Sequence, residues 1–352
     1  MNNRVVFFLG SMGSGGAERV VSIIANDYAV RGWSVDICIL LKKEVSYQLN
    51  PTINVIDMTG KENASRIKRS PAWIRKIRRY IIETNPATIV SFVARINLLV
   101  LLACAGMEKR IIISERNDPQ FDGRGFLIRF FCSVLYPHAE CIVFQTKRVK
   151  SYFSNAIQKK GRIIPNPIDV TVSATNTDVH KLVTVGSLKE QKNHRMLINA
   201  FKSVLKVHPE MELYIYGEGY YREETEKIIR NLGLQSKVHL CGNRANVHEA
   251  IRDALIFILS SDYEGLSNAL LEAMVIGLPC ISTRCAGSDE YIIDKQNGLL
   301  VDVGDEKGMT KAIISLIEDE KKRKELAVEA KKVINDVGKE TALRLWREVI
   351  EG

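Results

Sequence analysis

Short apolar runs recur along the chain, each followed by a longer stretch in which apolar and polar residues mix with helical spacing. VVFFLG begins the series just after Arg4, and SVDICILL, INVIDM, ATIVSF, IIISE and CIVFQT follow. Runs of this length bounded by turn formers read as buried strands. The intervening stretches read as helices: one fed by the GSMGSGGAER turn, one from Ser70 to about Glu83, one through Leu101, one from about Arg124 to Tyr136 and one to about Asn155. Strand and helix in alternation predict a parallel sheet wound on both faces. The pattern breaks at GRIIPNPIDVTVSATNTDVHK, where Pro165 and Pro167 and a polar run suit a linker. It restarts with KLVTVG, LYIYGEG, VHLCG, ALIFILS and CIST. The chain therefore divides into two doubly wound α/β domains, 1–168 and 169–335, followed by an amphipathic helix within 336–352.

The stretch from Ser260 to Glu290 concentrates the chemistry. An apolar strand ends at Ser260 and Ser261, and a turn with Glu264 and Gly265 leads into a helix predicted from about Ser267 to Ile276. Ser267 and Asn268 are good N-cap residues, and the free amides of a first helical turn form a ready phosphate site. Glu272 follows Glu264 by eight positions, about two turns, so both carboxylates can face one cleft. Standing alone, such a pair belongs as readily to a solvated helix face. Gly277, Leu278 and Pro279 stop the helix.

The pair does not stand alone. EGLSNALLEAMVIGLPCIST, with Ala286, Gly287, Glu290 and the later NGLLV, resembles the nucleotide-sugar signature of retaining GT-B glycosyltransferases of family 4. The likeness covers nearly the whole chain and is strongest from Leu182 to Val301. It implies an α/β GT-B architecture: two Rossmann-like domains facing a central cleft, acceptor in the first, nucleotide-sugar in the second, and a last helix crossing back to the first. It also implies roles. Glu264 and Lys192 become the catalytic candidates, with Glu264 on the donor sugar and Lys192 on the diphosphate. Gly265, Leu266, Ser267 and Asn268 offer amides to the phosphates, and Glu272 accepts from the ribose hydroxyls. Asn243 and Arg244 line the base, and the glycine turn at Gly15 and Gly16 lies beside donor or acceptor.

Two departures from the family pattern matter. Most relatives place an arginine where this chain has Ser187, so the second cation on the diphosphate is missing; Lys189 or Arg195 supplies it, or Ser187 hydrogen-bonds the phosphate instead. Near Glu115, Arg116, Asn117 and Asp118 many relatives carry a histidine that this chain lacks. That loop follows a strand's C-terminal end, where open α/β sheets bind ligands, which makes it an acceptor candidate or a structural loop.

The reaction implied is sugar transfer with retention, from a UDP-sugar in preference to GDP-mannose, onto a lipid-linked or cell-surface glycan. The departing diphosphate itself takes the acceptor proton, because no general base stands out. There is no DxD motif, and no cofactor or metal is expected. A nucleotide-sugar 2-epimerase shares the architecture, and a sugar- or lipid-binding subunit without turnover is the non-enzymatic alternative, favoured only by Ser187.

Charge sharpens the partner. The formal charge is +9, yet residues 1–170 hold 25 Lys and Arg against 13 Asp and Glu, while 171–352 hold 25 against 28. An anionic partner for the first half follows: a membrane surface, a phosphorylated acceptor or, least of all, a nucleic acid, for which no module is present. In RIKRSPAWIRKIRRYIIE, helical projection gathers Trp73, Ile74, Ile77, Tyr80 and Ile81 on one arc and Arg75, Lys76, Arg78 and Arg79 on the other. In the polymerising N-acetylgalactosaminyltransferases that the chain resembles, a basic helix here grips the diphosphate of a lipid-linked acceptor. A solvated face and an anionic-lipid contact are the alternatives. Seven cysteines without a CxxC pair read as buried free thiols. VVFFLG is too short for a signal-peptide core and LLVLLACAGM is half a membrane span, so a cytoplasmic protein peripheral on the inner membrane face is expected.

Overall fold

The apolar runs form strands and the mixed stretches form helices in a computed structural model that describes residues 3–13, 15–59, 66–175, 178–285 and 287–352, with only the backbone for 66–69. Ala286 of the signature lies outside the described residues. The first half carries β1 (Arg4–Leu9), α1 (Gly16–Val30), β2 (Ser34–Ile39), β3 (Asn54–Asp57), α2 (Arg66–Thr84), β4 (Thr88–Phe92) and α3 (Ala94–Ala103). It continues with β5 (Arg110–Ser114), α4 (Phe126–Leu135), β6 (Cys141–Phe144), α5 (Lys147–Ser151), α6 (Asn155–Lys159) and β7 (Gly161–Ile163). The second half carries β8 (Asp178–Val185), α7 (His194–Val204), β9 (Glu212–Tyr216), α8 (Arg222–Asn231), β10 (Val238–Gly242), α9 (Val247–Ile251) and β11 (Ala254–Leu259). Then come α10 (Asn268–Ile276), β12 (Cys280–Thr283), α11 (Ser288–Tyr291), β13 (Leu299–Val301), α12 (Glu306–Glu318), α13 (Glu320–Lys331), α14 (Ile334–Val337) and α15 (Lys339–Glu351).

Two units result, Met1–Pro167 with Lys339–Gly352, and Ile168–Gly338. In the first, the described residues form a parallel sheet ordered β3-β2-β1-β4-β5-β6-β7. The order reverses between β1 and β4, and the loops beyond the C-terminal ends of such neighbours are where ligands collect in open α/β sheets. Trp73, Ile77 and Ile81 of α2, the apolar side of α3 and Tyr136 cover one face of the sheet. Each such side chain taken out of water contributes about 1.5–3 kcal/mol. On the other face α1 packs beside α15, whose Leu343, Trp346 and Ile350 are buried against β1, β4 and β6.

The second unit holds a parallel sheet ordered β10-β9-β8-β11-β12-β13, with its reversal between β8 and β11. The inner strands β1, β2, β4, β5, β6, β11 and β12 are buried almost throughout because parallel strands are covered on both faces, while the edge strands β3 and β10 are partly exposed. α10 is buried from Leu270 through Ile276 and starts where its cap dictates, with Ser267 Oγ accepting from the Leu270 amide at 3.4 Å. It ends where Gly277 turns left-handed at φ 94°, a conformation that costs glycine nothing.

Three helix boundaries differ from the sequence expectation. α2 begins at Arg66 and not at Ser70, so Pro71 sits inside it. At the sixth helical position a proline forfeits one backbone bond, which the buried face through Trp73, Ile77 and Ile81 outweighs. The helix expected to end at Tyr136 stops at Leu135 and tightens into a 3-10 turn over Tyr136–His138 around Pro137. The last helix before the linker is two short ones, α5 and α6, the second restarting after Ser154. Among the described residues no helix is long and apolar enough to cross a membrane.

Candidate functional site

In the second unit the loops leaving β8 and β11 meet at the order reversal. After β8 the backbone passes Gly186 and Ser187 so closely against the turn after β9 that a Cβ on Gly219 would lie 2.2 Å from the Leu188 carbonyl oxygen. Glycine is required there. A 3-10 turn, Glu190–Lys192, follows and Asn193 adopts the left-handed region at φ 45° to cap α7, accepting from the Met196 amide at 3.1 Å. The same Asn193 donates to Asp262 Oδ1 at 2.7 Å, Gln191 donates to the Tyr263 carbonyl at 2.7 Å, and the Asp262 amide returns a bond to the Gln191 carbonyl at 2.9 Å. Four polar links thus sew the two loops together once Ser260 Oγ, donating to the Lys192 carbonyl at 2.8 Å, is included.

Inside this seam Lys192 and Glu264 form an ion pair, Nζ to Oε1 at 2.5 Å, with side chains only 16% and 10% exposed. Ser261 Oγ donates to the same carboxylate oxygen at 2.7 Å. The stem of Lys192 runs along Gly186, where a Cβ would meet its Cε at 3.2 Å. So Ser187, Lys192 and Glu264 are brought to one place. The turn Gly265–Leu266 continues to the N-terminus of α10 and is clasped by Gly287, whose absent side chain leaves room for the Leu266 Cα at 2.7 Å from the Cβ position. Amides of the first turn of α10, a cation and a carboxylate therefore lie around one strand edge. That arrangement can hold an anion and a polyhydroxylated ligand together.

The other expected donor residues divide. Glu272, on α10, is buried and lies 3.2 Å from His248 Nε2 of α9. The histidine was not anticipated; its signal was only a lone imidazole in VHEAI. Asn243 and Arg244 are exposed in the turn after β10, and Lys189 and Arg195 are exposed too. The nearby His194 is buried, and burial together with the Lys192 charge pulls its pKa down to about 4.

In the first unit, Gly15 caps α1 and Gly16 opens it, both exposed at the order reversal. Glu18 folds back under Gly15, so a Cβ there would lie 2.2 Å from its carboxylate. The loop after β5 is only partly available for a ligand. Glu115 is fully buried, paired with Arg124 Nη2 at 2.7 Å, and accepts from the Tyr136 hydroxyl. Arg124 also holds Asp122, at 2.6 Å. Burial raises the Glu115 pKa while Arg124 opposes it. Glu115 thus sits in an internal network, with its carboxylate turned to Arg124 and Tyr136. Arg116 is buried as well, its guanidinium 5.2 Å and 5.4 Å from the Phe92 and Trp346 ring centroids. Its Nη1 donates to Asn166 at 2.9 Å, whereas Nε and Nη2 have no hydrogen-bond partner among the described residues. Burial without a counter-charge lowers its pKa to about 9. Asn117 is exposed and Asp118 buried, its carboxylate closing a turn on the Gln120 amide at 2.9 Å.

The four cations of α2 are exposed but not equivalent. Arg78 donates to the Ala103 and Ala105 carbonyls, each at 2.9 Å, at the C-terminus of α3. Arg79 pairs with Glu83 one turn on at 2.7 Å, and Lys76 reaches the Thr59 carbonyl at 3.4 Å. Arg78 is thereby spent on joining two helices.

Two doubly wound parallel sheets, each reversing its strand order once, are the GT-B architecture. Solved structures share that fold over nearly full length: Anabaena Alr3699/HepE in complex with UDP superposes with a TM-score of 0.84 at 17% identity, covering 99% of both chains. The lipopolysaccharide outer core galactosyltransferase WaaB gives 0.79 at 18%, again covering 99% of both. Residues 167–333 match the family described as glycosyl transferases group 1, and residues 14–172 match glycosyltransferase family 4. The chain belongs to this glycosyltransferase family and is an enzyme of that kind. Among its relatives is the Campylobacter jejuni N-acetylgalactosamine-N,N'-diacetylbacillosaminyl-diphospho-undecaprenol 4-alpha-N-acetylgalactosaminyltransferase, 28% identical over 92% of this chain and 93% of the relative. Another is the amylovoran biosynthesis glycosyltransferase AmsD of Erwinia amylovora, 25% identical over 99% of this chain and 100% of the relative.

Proposed function

We propose that the protein moves a sugar from a UDP-sugar to a glycan carried on a lipid diphosphate, with retention at the anomeric carbon and without a metal ion, at the inner face of the cell membrane. The observation that carries this reading is the Lys192–Glu264 pair beside the N-terminus of α10. The nucleoside diphosphate leaves with charge growing on its β-phosphate, and a preorganised ammonium plus helix amides stabilise that charge. The C1–O bond to the phosphate breaks, the acceptor oxygen bonds C1 on the same face, and its proton passes to the departing phosphate oxygen. Glu264 holds the sugar during this exchange and Glu272 the ribose. The UDP in the HepE complexes supports the choice of nucleotide, and the undecaprenyl-diphosphate acceptor in the Campylobacter jejuni relative's name supports the choice of acceptor. Lys192 and the helix terminus make a metal redundant, which supports metal independence.

The test is nucleotide release by the purified protein across UDP-, GDP- and dTDP-sugars in EDTA, with and without membrane lipid extract. Lipid-dependent release from one UDP-sugar is expected. Release that requires added Mg²⁺ or Mn²⁺, or that ignores the lipid extract, would remove that part of the reading.

A further inference from the structure

α4 is anomalous for a helix of a doubly wound domain. Its sequence, FLIRFFCSVL, is apolar throughout except Arg129 and Ser133, yet Cys132 is the one buried residue among its ten. Phe126 is 80% exposed, Leu127 68% and Phe130 52%, and Phe131 and Val134 are exposed beside them. These five positions fall on one side of the helix, since residues four apart stack along it. Isolated exposed apolar side chains need no explanation, but a contiguous aromatic stripe marks a contact surface.

The surroundings of the stripe select its occupant. α3 packs between α2 and α4 on the same face of the sheet. The exposed residues of these three helices include Arg75, Lys76, Arg79, Arg95 and Arg129, with Arg78 held on the α3 carbonyls, against the single carboxylate of Glu83, which Arg79 already engages. No acidic residue occurs between Asp122 and Glu140. A second copy of the chain seated on this surface would bring two sets of five cations together, which disfavours it. An anionic bilayer instead answers both features: acyl chains take the aromatic stripe, and headgroup phosphates take the flanking cations, whose long stems reach outward from the apolar body. At about 1.5 Å per residue, α4 is roughly 15 Å long, right for lying in the interface and far too short to span it.

We propose that α4 is a membrane-insertion element, seating Phe126, Leu127, Phe130, Phe131 and Val134 among the acyl chains of an anionic bilayer while the cations of α2 and α3 contact the headgroups. This deepens the membrane part of the proposed function and rests on that reading only for its biological purpose. α4 is joined to the C-terminal end of β5 by the loop 115–125, in which Asn117 is exposed. The basic helix alone, as read from the sequence, would give a salt-sensitive contact; α4 makes the contact persist in salt.

The experiment is co-sedimentation of the full chain with vesicles of phosphatidylglycerol and phosphatidylethanolamine, and with pure phosphatidylcholine vesicles, in low and high salt and without donor. The triple variant Phe126→Ser, Phe130→Ser, Phe131→Ser is expected to bind the anionic vesicles at least tenfold less well, with the difference kept in high salt and with unchanged UDP affinity and melting temperature. A separate Phe130→Trp variant is expected to show an emission blue shift on vesicle addition and quenching by brominated acyl chains. Equal sedimentation of the triple variant and the wild type overturns the proposal, as does indole emission from the Phe130→Trp variant that is blind to the vesicles. So does a wild-type dimer that the triple variant converts to monomer, since a second copy then covers the stripe. The vesicle readout involves no turnover: binding that depends on α4 in a protein silent toward every UDP-sugar would sink the functional reading and leave this one standing.

Discussion

Glu264→Gln is the most informative single change, because the Lys192–Glu264 pair predicts opposite effects on binding and on turnover. On the proposed reading the Lys192 ammonium meets the donor diphosphate, and in the structure Glu264 occupies it at 2.5 Å with both groups mostly buried. A charge-assisted bond of this kind is worth about 1.5–3 kcal/mol net, and an incoming phosphate has to displace it. Glutamine keeps the shape and the Ser261 bond but loses the charge, so Lys192 is released and the carboxylate's repulsion of the phosphate disappears. UDP is then expected to bind about 10- to 100-fold more tightly, at 1.4 kcal/mol per tenfold. The transfer rate is expected to fall about 100-fold or more, because the sugar loses its charged acceptor where the transition state needs it. Lys192→Met reverses the first effect: UDP binding weakens and turnover falls too. Calorimetric titration with UDP and initial rates of UDP release measure the two quantities separately. Glu264→Gln binding UDP no more tightly than the wild type would refute the idea that the ion pair guards the phosphate site.

Three further outcomes follow from other parts of the structure. His194 has its pKa lowered from 6.5 to about 4 by burial and by Lys192, so the unfolded chain takes up its proton first as pH falls; the stability it contributes is complete above about pH 6.5 and declines toward pH 4. That is about 3 kcal/mol of acid sensitivity, and urea unfolding of His194→Gln at pH 7.5 and 4.5 is expected to show much of it gone, an unchanged pH dependence counting against this. Glu115→Gln is expected to cost about 3–5 kcal/mol in denaturant stability, by leaving Arg124 short of its buried partner, while UDP affinity stays the same; a large change in acceptor KM at unchanged stability would make Glu115 a ligand group after all. Arg78→Ala is expected to lower stability by about 1–2 kcal/mol through the lost α3 carbonyl bonds, whereas Arg75→Ala leaves the melting temperature alone and slows transfer to a lipid diphosphate, and the reverse pattern would exchange their roles.

The two parallel sheets were legible because short apolar runs recur in alternation with longer helical stretches, whereas the strand order depends on which strands pair across each sheet and was not. The cap at Ser267 and the stop at Gly277 were legible for local reasons, each needing only its own few residues. What the sequence concealed depends on partners far apart. Glu115 looked like a free carboxylate in a polar loop, and its neutraliser Arg124 stands nine residues on at no helical spacing. Arg116 rests on Trp346, 230 positions away, so nothing nearby announced its burial. The row of cations in α2 projected correctly onto one arc, yet projection could not tell that Arg78 would be drawn to the end of α3. For α4 the apolar pattern itself misleads: eight apolar residues in ten predict a buried helix, and only the structure shows the stripe turned to solvent.

The amide of Ile168 bonds the Val337 carbonyl at 2.9 Å, and Ile168 pairs with Gly338 in a parallel bridge. The second unit therefore enters and leaves the chain at neighbouring residues, as a cassette whose two ends are already tied. On the proposed reading Lys192, Glu264 and Glu272 all lie between those junctions, while α15, carrying Trp346, stays with the sheet it completes. Splicing a relative's 168–338 equivalent into this chain at Pro167/Ile168 and Gly338/Lys339 would exchange donor preference through two peptide bonds without opening either core. For the same reason the first sheet has no finished hydrophobic face until the cassette has been synthesised, and α15 is the part that closes it.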